Sequence, residues 1–165
     1  MYNSLFVLAG TLVIDIYLSI MAAYALSWIP FKGSKIVFTY FLTGYLFPGA
    51  VAMLPLYLLM RFMNLLDSHW AIIFVQAGFG LPPHILLLRG FFATIPKKLH
   101  DSSVMDGCGP IRFLIAIVIP LSKPVIATAS VLAMVGSWNS FFLPLMFLNP
   151  QKLYTLPLGV FQFMG

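Results

Sequence analysis

The chain has 165 residues, of which 61% are hydrophobic and only 8% charged. Soluble domains carry roughly 25% charged residues, so composition excludes a water-exposed globule and leaves an all-α membrane bundle of about four spans at about 20 apolar residues each. The net charge of +5 is not a nucleic-acid footprint, because the Lys and Arg residues are scattered along the loops and form no basic face. Cys108 is the single cysteine, so no internal disulfide is possible. His69, His84 and His100 are too dispersed for a metal site.

The first apolar stretch runs from about Leu5 to Ile29 and is broken only by Asp15. It has no basic leading region and no small-residue cleavage site, which reads as a retained span rather than a signal peptide. Asp15 is the only acid inside a span; such a group faces a bundle interior or an aqueous path, or makes a helix-packing hydrogen bond. The second stretch, about Ile36 to Met60, contains Pro48 and Pro55. The third, about His69 to Leu88, is the most polar, and Pro82-Pro83-His84 is expected to bend it. The fourth, about Phe113 to Leu148, is too long for one straight span. Pro120 and Pro124 are expected to divide it into a short lead-in helix and a span from about Val125. Residues 149–165 are turn-rich and read as a loop or re-entrant segment.

Between the third and fourth stretches lies RGFFATIPKKLHDSSVMDGCGPIR, Arg89 to Arg112, with four of the nine basic residues and two of the four acids. Lys32 and Lys35 follow the first span, while the alternate loops hold only Arg61, offset by Asp67, and Lys152. The positive-inside rule then places the Lys32 loop and the Arg89–Arg112 loop in the cytoplasm and the N-terminus outside. A first residue on the outer side leads to the expectation of a further span upstream.

Within this loop, Thr94 or a neighbour is expected to cap a helix that Pro96 opens and that meets no breaker before Gly107. Leu99, Val104, Met105 and Cys108 give it a partial apolar side, with Asp101, Ser102 and Ser103 between them. Gly107-Cys108-Gly109-Pro110 must turn sharply, because glycine accepts positive φ and Pro110 can open a second helix. The expectation is a short cytoplasmic docking helix, a tight turn, and a second helix entering the membrane at Pro120. The plainer alternative is a connecting loop lying on the bilayer surface.

The segment Asp101 to Pro120 resembles the EAA loop of permease subunits of bacterial ABC importers: E-A-A, three residues, G, nine residues, I-x-L-P. Asp101-Ser102-Ser103 stand at E-A-A, Gly107 at the glycine, and Ile117, Ile119 and Pro120 at I-x-L-P. The usual Glu-Ala-Ala is thus Asp-Ser-Ser, with a shorter acid and weaker helix formers. The carbohydrate-importer branch is the more similar one, through Ile95-Pro96, Leu99, Asp106-Gly107, Pro120-Leu121-Ser122-Lys123-Pro124, Gly136-Ser137-Trp138-Asn139 and Leu153-Tyr154-Thr155-Leu156-Pro157-Leu158-Gly159. Ala22-Ala23-Tyr24-Ala25 and Pro48 with Pro55-Leu56-Tyr57 extend the likeness upstream, so it covers nearly the whole chain and looks like the second, maltose-type membrane subunit. Members of that branch typically carry about six spans; residues 1–165 then correspond to a partial transmembrane domain holding the middle ones, with the EAA-like loop at about 89–120.

The resemblance implies a multi-pass subunit of the inner (plasma) membrane that pairs with a second related permease, cytoplasmic ATPase subunits and an extracytoplasmic solute-binding protein. No G-x-x-x-x-G-K-[ST] run occurs, so ATP would be used by the partner, and this chain would bind no cofactor and act as no enzyme. Coupling to the ATPase is expected from Leu99, Asp101, Ser102, Ser103, Asp106, Gly107, Ile117 and Pro120. Asp101 would pair with a basic partner residue, Gly107 would aim the two helices, and Pro120 would fix the kink. An exposed ion pair is worth about 0–1 kcal/mol, so Gly107 should matter more than Asp101. Gln76, Ser137 and Asn139 are candidates for a polar path for sugar hydroxyls, with interhelical hydrogen bonding an equal alternative. Trp28 and Trp70 read as interface anchors, whereas Trp138 suits either anchoring or stacking on a sugar. Two other functional readings are an ion-coupled secondary transporter or channel, for which Asp15 is the one candidate carrier, and an inactive truncated permease.

Overall fold

The computed structural model describes residues 1–29, 31–46 and 48–164, and every regular element among them is helical. Helix α1 (Tyr2–Trp28) is roughly 40 Å long and apolar enough to cross a bilayer. Its buried stripe is Ser4, Val7, Thr11, Asp15, Ser19 and Ala23, while Leu5, Val13, Tyr17 and Leu18 point outward. That order inverts the amphipathic helix of a soluble protein. In hydrocarbon the apolar side chains need no burial, whereas polar groups must find partners inside the bundle.

The second apolar stretch is not one continuous span. It forms α2 (Ser34–Leu46) and α3 (Gly49–Phe62), bent by 100° at the break between them. Pro48, extended at φ −67° and ψ 120°, is the N-cap of α3 and has no N–H with which to continue a ladder from α2. Pro55 is accommodated inside α3. Helix α4 (His69–Phe92) begins at Ser68, whose Oγ accepts from the Trp70 N–H at 3.3 Å. Where a bend was expected, at Pro82-Pro83, α4 runs through both prolines as a single helix. It passes tightly along α1 there, and packed neighbours are what make intramembrane prolines tolerable.

Helices α1 and α4 lie parallel and in register. Phe6 meets His69 and Trp70, Ile73 fills the space beside Gly10, and Thr11 and Asp15 reach Gln76 and His84. Two parallel spans require a return crossing between them, which α2 and α3 supply as one bent path. The Arg89–Arg112 loop contains α5 (Lys97–Met105) and ends in α6 (Pro110–Phe113). A π turn, Leu114–Val118, and the short α7 (Ile119–Leu121) continue it, and a bend of 79° leads into α8 (Lys123–Trp138). The division expected near Pro120 and Pro124 is therefore present, with Ser122 at the corner. The π turn ends two residues before Pro120, whose missing N–H and bulky ring disturb an α-helical ladder.

The chain end is more ordered than a loop. After α9 (Phe142–Phe147) come a 3-10 turn, Gln151–Leu153, and α10 (Leu156–Met164). Asn3 Nδ2 donates to the carbonyls of Lys152 (2.8 Å) and Tyr154 (3.1 Å), and His69 Nε2 donates to that of Leu153 (2.9 Å). Asp67 Oδ1 accepts from the Asn149 backbone (2.8 Å) and Nδ2 (3.1 Å). The start of α1, the α3–α4 turn and residues 149–155 therefore share one end of the bundle. The α1–α2 turn and the α5–α6 loop share the other.

Two apolar clusters anchor these ends. One, around Phe92, Phe113, Leu114 and Val118, sits beneath the loop; the other joins Val7, Met60, Ile72, Ile73 and Phe147 at the opposite end. Single cysteines introduced at Lys32 and Lys97, in a Cys108→Ser background, should react with an impermeant maleimide from the same side of the membrane. A cysteine at Lys152 should react only from the other side, and labelling of all three from one side would contradict this topology.

Candidate functional site

The Arg89–Arg112 loop is built by a helix end that backbone chemistry specifies closely. Helix α5 has Pro96 as N-cap with no side-chain cap, and Thr94 instead closes the end of α4, its Oγ1 donating to the Phe91 carbonyl at 2.7 Å. Of the expected cap, Thr94 or a neighbour, the neighbour Pro96 holds the position, because the Thr94 hydroxyl finds the nearer orphan carbonyl of the preceding helix. At the other end, Cys108 N–H donates to Ser103 O (2.9 Å) and Gly107 N–H to Val104 O (3.0 Å). Those two bonds, with Gly107 at φ +73°, form a Schellman motif. Gly109 then sits extended as N-cap of α6, with Pro110 at its first turn.

This geometry orients the expected coupling residues. Leu99, Val104 and Met105 are 40%, 54% and 87% exposed; Leu99 and Val104 flank the inward side of α5 and Met105 lies opposite it. Asp101, Ser102 and Asp106 are also exposed; Asp101 lies 3.6 Å from His100 Nδ1, and Ser102 Oγ donates to the Lys98 carbonyl. Ser103 turns inward, 5% exposed, with its Oγ donating to the His100 carbonyl at 2.7 Å. Ile117 packs against the cluster beneath the loop, whereas Pro120 is exposed just before the bend at Ser122. Cys108 packs partly into the same cluster, so it does not join these exposed apolar residues.

A second group of polar residues lies midway along α1. Asp15, 1% exposed, accepts from His84 Nδ1 at 2.8 Å and from Ser19 Oγ at 3.1 Å. Gly80 lies directly against the carboxylate, and a Cβ there would overlap Asp15 Oδ2. One turn toward the other end, Gln76 Oε1 accepts from Thr11 Oγ1 (3.1 Å) and from Ser137 Oγ (2.8 Å), tying α4 to α1 and α8. Gln76 Nε2 is buried and has no hydrogen-bond partner among the described residues.

All of these but Ser19 line a cavity of about 430 Å³ that Ser140 also borders. Gln76 and Ser137 therefore meet as the sequence allowed, by an interhelical hydrogen bond and beside a cavity. Trp138 and Asn139 do not line it, because they follow Ser137 around α8 and its C-cap, and Asn139 is exposed. Thr11, Ser19 and His84 were not anticipated as partners. The readable signal was the spacing Ser4, Thr11, Asp15, Ser19, one polar residue every one or two turns along a single helix face.

Fold and loop together define a polytopic transmembrane helix bundle with a coupling-helix loop. The chain belongs to the family of binding-protein-dependent transport system inner membrane components, whose pattern matches residues 15–163. It is 34% identical over 165 residues to the sulfoquinovosyl glycerol transport system permease protein of Agrobacterium fabrum, covering 100% of this chain and 58% of that one. It is 33% identical over 159 residues to the galactooligosaccharides transport system permease protein of Bacillus subtilis, covering 96% of this chain and 55% of the relative. A crystal structure of a bacterial ABC transporter involved in import of the acidic polysaccharide alginate superposes with a TM-score of 0.85 at 27% identity, over 97% of this chain and 55% of that one. The chain thus spans little more than half the length of these relatives. The two relatives are transport system permease proteins, and none of the three favours the ion-coupled or channel reading.

Replacing Gly80 with Ala should force Asp15 off His84, and thermal unfolding in detergent should show a loss of about 1–3 kcal/mol from overpacking and the broken bond. Gly78→Ala, where nothing lies within 4 Å of the added Cβ, is the control that should leave stability nearly unchanged.

Proposed function

We propose that this chain supplies part of the membrane-spanning domain of an ATP-driven, binding-protein-dependent importer of a sugar or oligosaccharide, as the maltose-type second permease. Residues 1–165 form a partial transmembrane domain, multi-pass in the inner membrane, with a second permease alongside. A cytoplasmic ATPase hydrolyses the ATP, an extracytoplasmic binding protein delivers the solute, and this chain performs no chemistry and binds no cofactor. The observation that carries this reading is the loop itself: the spaced Asp101–Gly107–Pro120 pattern is realised as a Schellman-terminated helix that leaves Leu99, Val104 and Met105 exposed. The names of the relatives support a carbohydrate cargo.

The mechanism follows from how the loop is built. Helix α5 offers an ATPase groove an apolar knob with Asp101 at its edge, and most of the affinity comes from fit, since an exposed ion pair contributes little. Gly107 fixes the angle between α5 and α6, so movement of the groove displaces both as one body. The bend at Ser122 then redirects that displacement into α8. In the membrane, Gln76 and Ser137 place polar groups on the wall of a largely apolar cavity that a solute without charge would pass.

Co-purification in detergent with the candidate ATPase tests the docking step. A Cβ at Gly107 meets nothing within 4 Å, so substitution there acts through backbone conformation alone. Gly107→Val should weaken ATPase retention by about tenfold, since a left-handed β-branched residue costs about 1–2 kcal/mol. Gly107→Asn, which tolerates that conformation, should retain the ATPase. Equal retention by Val and Asn, or no retention by the unaltered chain, would sink the docking reading.

A further inference from the structure

The docking loop is fastened to the cytoplasmic end of α1 by a cluster of four rings. Trp28, the last residue of α1, stacks on His100 of α5 with centroids 5.4 Å apart and planes 25° from parallel. Phe113 of α6, only 1% exposed, meets Trp28 edge-on at 5.2 Å and His100 at 5.0 Å. Tyr24, one turn earlier on α1, lies 6.4 Å from Phe113, and its hydroxyl donates to the Pro110 carbonyl at 2.8 Å. Helix α1 therefore grips both arms of the loop, α5 through Trp28 and α6 through Tyr24 and Trp28.

The inward side of α5 is His100 and Ser103. Ser103 spends its hydrogen bonds within the loop, on the His100 carbonyl and the Cys108 N–H. His100 is the α5 side chain whose ring reaches α1. Farther along, the same α1 is bonded to α4 through Asp15 and His84, and to α4 and α8 through Thr11, Gln76 and Ser137. Close-packed contacts of this kind transmit displacement because they cannot deform continuously.

We propose that Trp28 and His100 are positioning residues, forming the joint through which displacement of the docking loop is delivered along α1 to the polar layer and its cavity. This rests on the docking reading above and adds to it a specific route. The bend into α8 and the joint with α1 act in parallel: α6 and α7 pull on α8, while the ring cluster pulls on α1. Because Gln76 links α1 to α8, both inputs converge on the cavity wall. Without the joint, the loop would follow its ATPase while α1 stayed behind.

The test uses the assembled importer, reconstituted with its ATPase and sister permease, and a cysteine at Ser140 in a Cys108→Ser background. The maleimide reaction rate at the cavity is compared between the nucleotide-free and ATP–vanadate-trapped states. With Trp28 intact the rate should change by about tenfold, within the range that coupling between sites supplies. Trp28→Ala and the milder His100→Ala should each keep the ATPase bound and abolish the nucleotide dependence, and Trp28→Phe should restore it. Nucleotide dependence surviving in both alanine variants overturns the joint while leaving docking intact. Loss of the ATPase from both alanine variants makes the cluster part of the docking surface, and also overturns it. Failure of the unaltered chain to retain the ATPase removes the docking reading and the joint together.

Discussion

The constraint on which this structure depends is that a polar group in hydrocarbon has to be paired with another polar group of the protein. Asp15 is the sharpest case. A carboxylate midway along a span is costly unless it is enclosed and hydrogen-bonded, and here it is both, with His84 and Ser19 as donors. Satisfying Asp15 sets the rotation of α1, because the residue has to face α4. That rotation in turn carries Ser4, Thr11 and Ser19 inward and leaves Val13, Tyr17 and Leu18 to the lipid. It also dictates Gly80, the position on α4 where no side chain fits beside the carboxylate.

The two long helices are consequently joined in three layers. Apolar packing holds each end, and the polar layer lies between. Apolar contacts between membrane helices gain little from the hydrophobic effect, since lipid tails are as apolar as the side chains. The hydrogen bonds fix register, and the rings and aliphatic side chains at the ends fix separation. A cavity beside the polar layer is a natural outcome, because side chains chosen to satisfy one another do not fill volume as a jigsaw of Leu and Ile would.

The loop answers to different physics because it faces water. Its hydrogen bonds compete with solvent, so its shape comes from conformational preference: Pro96 before α5, Gly107 in the left-handed region, Pro110 at the start of α6. Each of these acts locally, and together they hold a helix of nine residues that would not persist in isolation. Leu99, Val104 and Met105 remain exposed on it, and this is the apolar surface that the proposed docking would cover.

How much was legible follows from which interactions are local. The loop was readable almost to the residue, since Gly107 and Pro110 act through their own backbones and need no distant partner. The broken second stretch was visible as Pro48, but proline alone does not distinguish a tolerated kink from a bend of 100°; Pro82 and Pro83, inside α4, demonstrate the opposite outcome. Sequence does not separate Thr94 from its neighbours as the cap, because a hydroxyl between two helices can serve either end. Asp15 and His84 are 69 positions apart, and nothing local marks them as a pair. By itself, then, the sequence determined the membrane class and the form of the loop between the third and fourth stretches, through hydropathy and backbone preference. Tertiary structure decided which polar residues meet, where the cavity opens and how the loop is tied to α1, because those depend on the rotation and register of helices that only packing selects.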